Sequence, residues 1–287
     1  MEESLKVPSQ HWTKIIQPHP KCFDVRLNEL WQYRELILLF VWRDFVKIYK
    51  QTILGPLWFF LQPLFTTIVF TVIFGRIAKI STDGVPHILF YMAGTILWTY
   101  FASCLTKTSE TFIANSAIFG KVYFPRLTVP ASIAISSLIA FSLQFLFFIL
   151  LVLFYALSKA TVKPTGWLLY TPFLIIHMAA LSLGAGIIIS SMTTKYRDLK
   201  LLANFGIQLW MYATPVVYPI SIVPIRWRWL MALNPMTTVV ETFRYAFLGS
   251  GSMNVQYLVI SVLLTIAILF TGLILFSRIE KNFIDTV

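Results

Sequence analysis

Charge is scarce in this sequence. Asp, Glu, Lys and Arg make up 12% of it, where a soluble domain carries about 25%. Hydrophobic residues reach 57% and aromatics 16%. That balance excludes a soluble domain with one core and points to a polytopic membrane protein. Cysteine is nearly absent. Cys22 lies in a polar stretch and Cys104 in an apolar one, so neither a disulfide framework nor a metal spacing follows. There is no GxxxxGK followed by Ser or Thr, which excludes ATP binding by a P-loop. HExxH, GxSxG and CxxC are missing as well. No cofactor, metal or catalytic residue is therefore expected in this chain. The first 30 residues have no apolar h-region, so a cleavable signal peptide is not expected. The net charge of +11 is scattered through loops rather than gathered in a patch, which argues against nucleic acid as a partner.

What is present is length and apolarity. Six runs are long enough to cross a bilayer: 53–75, 86–106, 129–157, 167–192, 201–218 and 255–277. None contains Asp, Glu, Lys or Arg. The segments on the side of the two termini hold 16 Lys and Arg; those on the other side hold 7. The positive-inside rule then places both termini in the cytoplasm. The expected architecture is an all-α membrane protein: an arm over 1–52, six transmembrane helices within 53–277, and a tail over 278–287. Within the arm, 28–51 reads as an amphipathic helix lying in the interface, with Trp31 and Trp42 as anchors.

One helical stretch is too short to span. Asn234 can cap it, Pro235 suits its first turn, and Gly249 stands where a left-handed C-terminal cap belongs. Met236, Val239, Val240, Phe243 and Phe247 share one face, with Thr237, Thr238, Glu241 and Thr242 off it; Glu241 can reach Arg244. At about 1.5 Å per residue the helix is about 21 Å long, against a bilayer core of about 30 Å. With the preceding 221–233 it forms a short re-entrant hairpin over 221–248, between spans five and six and on the outer side.

The spans hold uncharged polar groups instead of acids. Gln62 and Thr66 stand beside Trp58 and Phe59; Asn204 and Gln208 stand beside Trp210 and Tyr212. Amides, hydroxyls and aromatic faces suit sugars, whose hydroxyls want neutral partners and whose rings pack on aromatics. Polar packing between helices explains the same residues equally well. His177, deep within span four, is expected to be a hydrogen-bonded packing residue rather than a proton relay. Proton or ion coupling is thus disfavoured, and energy for transport would come from another subunit.

Four stretches in order resemble the membrane subunit of ABC type-2 exporters of the polysaccharide-export class, over about 28–285. They are ILGPLWFFLQPL at 53–64, KVYFPR at 121–126, KYRDLK at 195–200 leading to ATPVVYP at 213–219, and LNPMTTVVETFRYAFLG at 233–249. The resemblance implies a homodimer in the bacterial inner membrane with two copies of a cytoplasmic ATPase, which would hold the ATP and magnesium. It implies that 109–126 couples to that ATPase, with Glu110, Asn115, Lys121, Tyr123 and Arg126 there and Arg43 and Lys47 from the interface helix. It implies that spans one and five line the path, through Trp58, Phe59, Gln62, Thr66, Asn204, Gln208, Trp210 and Tyr212. Asn234, Pro235, Glu241 and Arg244 would belong to an outer gate. The implied cargo is a glycan, such as O-antigen, on an undecaprenyl diphosphate anchor. Export of a drug or small lipid, or a polytopic glycosyltransferase, are the rival readings; the second is short of the acidic residues such enzymes use.

Overall fold

The computed structural model describes residues 27–50, 53–122, 124–158, 162–194, 196 and 198–282. Among these, every regular element is helical. The helices are α1 (Leu27–Gln32), α2 (Arg34–Tyr49), α3 (Trp58–Phe70, continued by a π-helical stretch Thr71–Ile77), α4 (His87–Ser109), α5 (Thr111–Ala114), α6 (Ser116–Phe119), α7 (Thr128–Leu157), α8 (Thr171–Thr193), α9 (Leu199–Ala213), α10 (Ile225–Ala232), α11 (Pro235–Leu248) and α12 (Val255–Asn282). Five helical stretches among the described residues are long and apolar enough to cross a membrane: Trp58–Ile77, His87–Ser109, Thr128–Leu157, Gly166–Thr193 and Val255–Ile279.

The expected fifth span is the exception. Helix α9 has 15 residues, about 22 Å, and stops at Ala213. Thr214 turns extended (φ −105°, ψ 139°) because it precedes Pro215, whose ring disfavours helical backbone one residue earlier. The other boundaries fall within a few residues of expectation, except that the first span begins at Trp58 rather than 53. The expected single helix over 28–51 is divided at Tyr33 into α1 and α2, and residue 51 lies outside the described residues. Trp31 and Trp42 project outward, 74% and 63% exposed.

Helix α4 is the axis of the bundle, with 16 of its 23 residues buried. It packs against α3, α7, α8, α9 and α11. Helices α8 and α12 cross closely at Gly184, where a Cβ would sit 2.7 Å from the Leu269 Cα. In lipid such close backbone approach gains dispersion contacts that larger residues would prevent. His177 fulfils its expected role there: its Nε2 meets the Thr265 hydroxyl at 2.9 Å and the Ser261 hydroxyl at 3.2 Å. Ser261 in turn donates to the Pro235 carbonyl at 3.1 Å, joining α12 to the start of α11.

Candidate functional site

Helix α11 has the caps its sequence calls for. The Met236 N–H donates to Asn234 Oδ1 at 3.1 Å, Pro235 opens the helix, and Gly249 closes it at φ 70°. Its surroundings differ from expectation. Thirteen of its 14 residues are buried, all but Tyr245, including Thr237, Thr238, Glu241 and Thr242 from the face expected to be polar. The helix is not laid on a surface; it is inserted among α4, α8, α10 and α12. Phe243 and Phe247 pack on Phe148 of α7 at centroid distances of 5.4 and 5.6 Å. Its terminal carbonyls are also occupied. Thr165 N–H donates to the Ala246 carbonyl at 2.9 Å and Lys163 N–H to that of Leu248 at 3.3 Å. Orphan carbonyls that the helix end leaves at Ala246 and Leu248 are thus met by protein.

Two side chains of this element hold the irregular stretch after α9. Asn234 uses its whole amide. Oδ1 also accepts from Trp210 Nε1 at 3.0 Å, and Nδ2 donates to the Thr214 hydroxyl at 2.9 Å and the Ala213 carbonyl at 3.3 Å. Arg244 is fully buried, yet its chief partners are main-chain carbonyls: Pro215 at 2.5 Å, Val216 at 2.6 Å and Phe90 at 3.4 Å. Its guanidinium also lies 3.6 Å from the Phe90 ring centroid. The expected Glu241–Arg244 pair exists at 3.5 Å, the loosest of these contacts. Burial pulls the Arg244 pKa down to about 10 and pushes the Glu241 carboxyl up, while their mutual attraction opposes both shifts. Arg244 therefore remains cationic near neutrality, which suits a donor to the carbonyls of Phe90, Pro215, Val216 and Tyr218. Gly94 makes the approach possible, since a Cβ there would stand 2.8 Å from the Val216 carbonyl oxygen.

The residues expected along a path do not converge within one chain. Helix α3 packs on α4 and α7, whereas α9 packs on α4 and α8. Trp58, Gln62, Gln208 and Tyr212 are exposed; Phe59, Thr66 and Asn204 are half-buried. The Thr66 hydroxyl donates to its own helix at the Gln62 carbonyl. Trp210 turns inward to Asn234 and stacks edge-on against Phe101 at 5.1 Å.

The expected coupling segment is two single-turn helices, α5 and α6, jointed at Asn115. Lys121 is exposed, but Arg126 is buried beside the Phe119 ring, at 5.5 Å. Tyr123 lies outside the described residues. Glu110 pairs with Lys200 at 3.0 Å, a link between the two charged loops that sequence spacing does not reveal. Arg43 pairs with Asp44 at 2.8 Å and rests over Phe40. Arg43, Lys47, Glu110 and Asn115 border a cavity of about 550 Å³ that Phe59 and Gln62 also reach.

Such a site stabilises irregular backbone inside a helical bundle, an arrangement suited to a membrane transport protein. The chain belongs to the ABC-2 type transporter family, whose model matches residues 35–248. It is similar to the O-antigen export system permease protein RfbA of Klebsiella pneumoniae, at 26% identity over 88% of this chain and 94% of the relative. The protein of the same name from Myxococcus xanthus is 23% identical over 91% and 98%. The inner membrane transport permease YadH of Escherichia coli K12 is 24% identical over 71% and 78%.

Proposed function

We propose that this chain is the permease of an ABC exporter that carries a lipid-linked polysaccharide of the O-antigen kind across the bacterial inner membrane. The observation that carries this reading is the near end-to-end likeness to two permeases named for O-antigen export. The match to YadH covers less of both chains, so a generic small-molecule permease is the weaker reading. Two chains would form a homodimer, with two copies of a separate ATPase on the cytoplasmic side, where both termini lie. Helix α9 and the irregular residues after it would complete a sixth crossing. The exposed amide and aromatic faces of α3 and α9 would then meet across the dimer and form a sugar-tolerant path for a glycan on undecaprenyl diphosphate. Helix α2 would lie along the interface, α5 and α6 would dock on the ATPase, and α10 with α11 would close the outer end.

Deletion of the gene in its own host tests this. Surface polysaccharide should disappear while its lipid-linked form accumulates inside, and the wild-type gene should restore export. Unchanged surface polysaccharide in the deletion strain would refute the reading.

A further inference from the structure

The cavity beside α2 has the chemistry of a binding site in its own right. At about 550 Å³ it falls within the usual 300–1,000 Å³ of small-molecule sites. Helices α2, α3, α4 and α7 wall it, and α5 and α6 border one end. Among the α7 side chains that line it are Ser137 and Gln144, one heptad apart and on the same helix face. Both are at least 95% buried, and both leave a polar atom, Ser137 Oγ and Gln144 Oε1, without a partner. Buried polar atoms are nearly always hydrogen-bonded, and the Tyr100 hydroxyl in the same lining is a third without a partner, so the cavity offers polar groups to a ligand. The other serines of α7 show the contrast. Ser132, Ser136 and Ser142 each donate back to a carbonyl of their own helix, and Ser137 does not.

The mouth has the opposite character. Arg43 is taken by Asp44 and Glu110 by Lys200. Lys47 and Lys107 also line the cavity, are exposed, and form no ion pair among the described residues. Two free ammonium groups suit a phosphate. Ser137 and Gln144 lie about 13 and 24 Å along α7 from its first residue, at 1.5 Å per residue, so the hydroxyl-accepting part lies deeper than the α5 end.

We infer that this cavity, formed within one chain by α2, α3, α4 and α7, binds a phosphate bearing a polyol. Lys47 and Lys107 take the phosphate; Ser137 and Gln144 take the hydroxyls. Two sources share that chemistry: a phospholipid with a polyol headgroup, and the sugar-diphosphate end of the cargo. The second source rests on the export reading; the first does not.

The full-length permease in phosphatidylcholine nanodiscs tests this by native mass spectrometry. Phosphatidylglycerol, phosphatidic acid and a polyprenyl-diphosphate sugar serve as probes. Phosphatidylglycerol should be retained over phosphatidic acid, which lacks the polyol. Lys47→Gln with Lys107→Gln should weaken retention at least tenfold. Ser137→Ala with Gln144→Leu should erase the preference for phosphatidylglycerol while the folded fraction stays unchanged, as removal of unpartnered polar atoms predicts. Displacement of phosphatidylglycerol by the polyprenyl sugar would identify the cargo as occupant; its persistence would identify a resident lipid. Equal retention by wild type and both double variants, or no retention of either polyol probe, would overturn the inference. That result would leave the export reading standing, because surface polysaccharide in the deletion strain decides it separately.

Discussion

Helices α3 and α11 reverse the usual link between polarity and burial. The stretch Trp58–Ile77 is long and apolar, yet only Pro63 and Thr67 of it are buried within the chain. Helix α11 is short and carries Glu241, Arg244 and three threonines, yet all but one of its residues are buried. In water the apolar helix would be inside. In a bilayer the lipid is as apolar as leucine, so an apolar helix gains little from leaving it. A polar helix with a free backbone at each end cannot be met by lipid at all, and protein must meet it instead. The contrast can be broken most directly at Arg244. Arg244→Met leaves the carbonyls of Pro215 and Val216 without their donor and Glu241 without its counter-charge. Breaking a buried charge cluster costs about 3–5 kcal/mol. The unfolding free energy in mixed detergent micelles should fall by that amount, and a fall below about 1 kcal/mol would contradict the assigned role.

Asn234 comes next. Asn234→Ala removes a helix cap, which costs about 1 kcal/mol. It also removes the acceptor of Trp210 and the donor to Thr214, each worth about 1 kcal/mol. A loss of roughly 2–3 kcal/mol is expected, with a change in Trp210 fluorescence. Asn234→Asp keeps the cap and the Trp210 bond but not the donation to Thr214, so it should lose less. Equal losses in the two variants would show that the oxygen plays no part.

Gly94→Ala sharpens the comparison from the α4 side. The added methyl meets the Val216 carbonyl at 2.8 Å and the Arg244 Nη2 at 2.9 Å, both already held. Overpacking of this kind costs about 1–3 kcal/mol. Stability in the same micelles should drop within that range, while Gly206→Ala, where nothing lies within 4 Å, should not reduce it.

The caps of α11 were legible because cap chemistry is local: Asn234, Pro235 and Gly249 act within one turn of themselves. The Glu241–Arg244 pair was legible for the same reason. The carbonyl partners of Arg244 were not, because Phe90 and Val216 are 154 and 28 residues away in sequence. The end of α9 had a signal that hydropathy overrode. Pro215 lies inside an apolar run, and an apolar run reads as a span until its proline is given weight. The burial of the threonine face was hidden for a different reason. A helical period tells which residues share a face, not whether the other face also meets protein. The cavity and the Lys200–Glu110 link were hidden in turn, since each joins elements far apart in the chain.

The smallest effect is expected on α3. Phe65 is 57% exposed on the candidate membrane span that the rest of the chain covers least. If lipid or an open path faces it, Phe65→Ala exchanges one apolar contact with the surroundings for another. Substitutions away from packed features stay within about 0.5 kcal/mol. The same truncation at Phe148, which is fully buried against Phe243 and Phe247, should cost about 3–5 kcal/mol. The pair of measurements separates two views of α3. A small loss at Phe65 in both the isolated permease and the assembled transporter means that no protein covers that face. A loss that is small in isolation and approaches the Phe148 value on assembly means that a second chain covers it, and the path would then lie along a different side of α3.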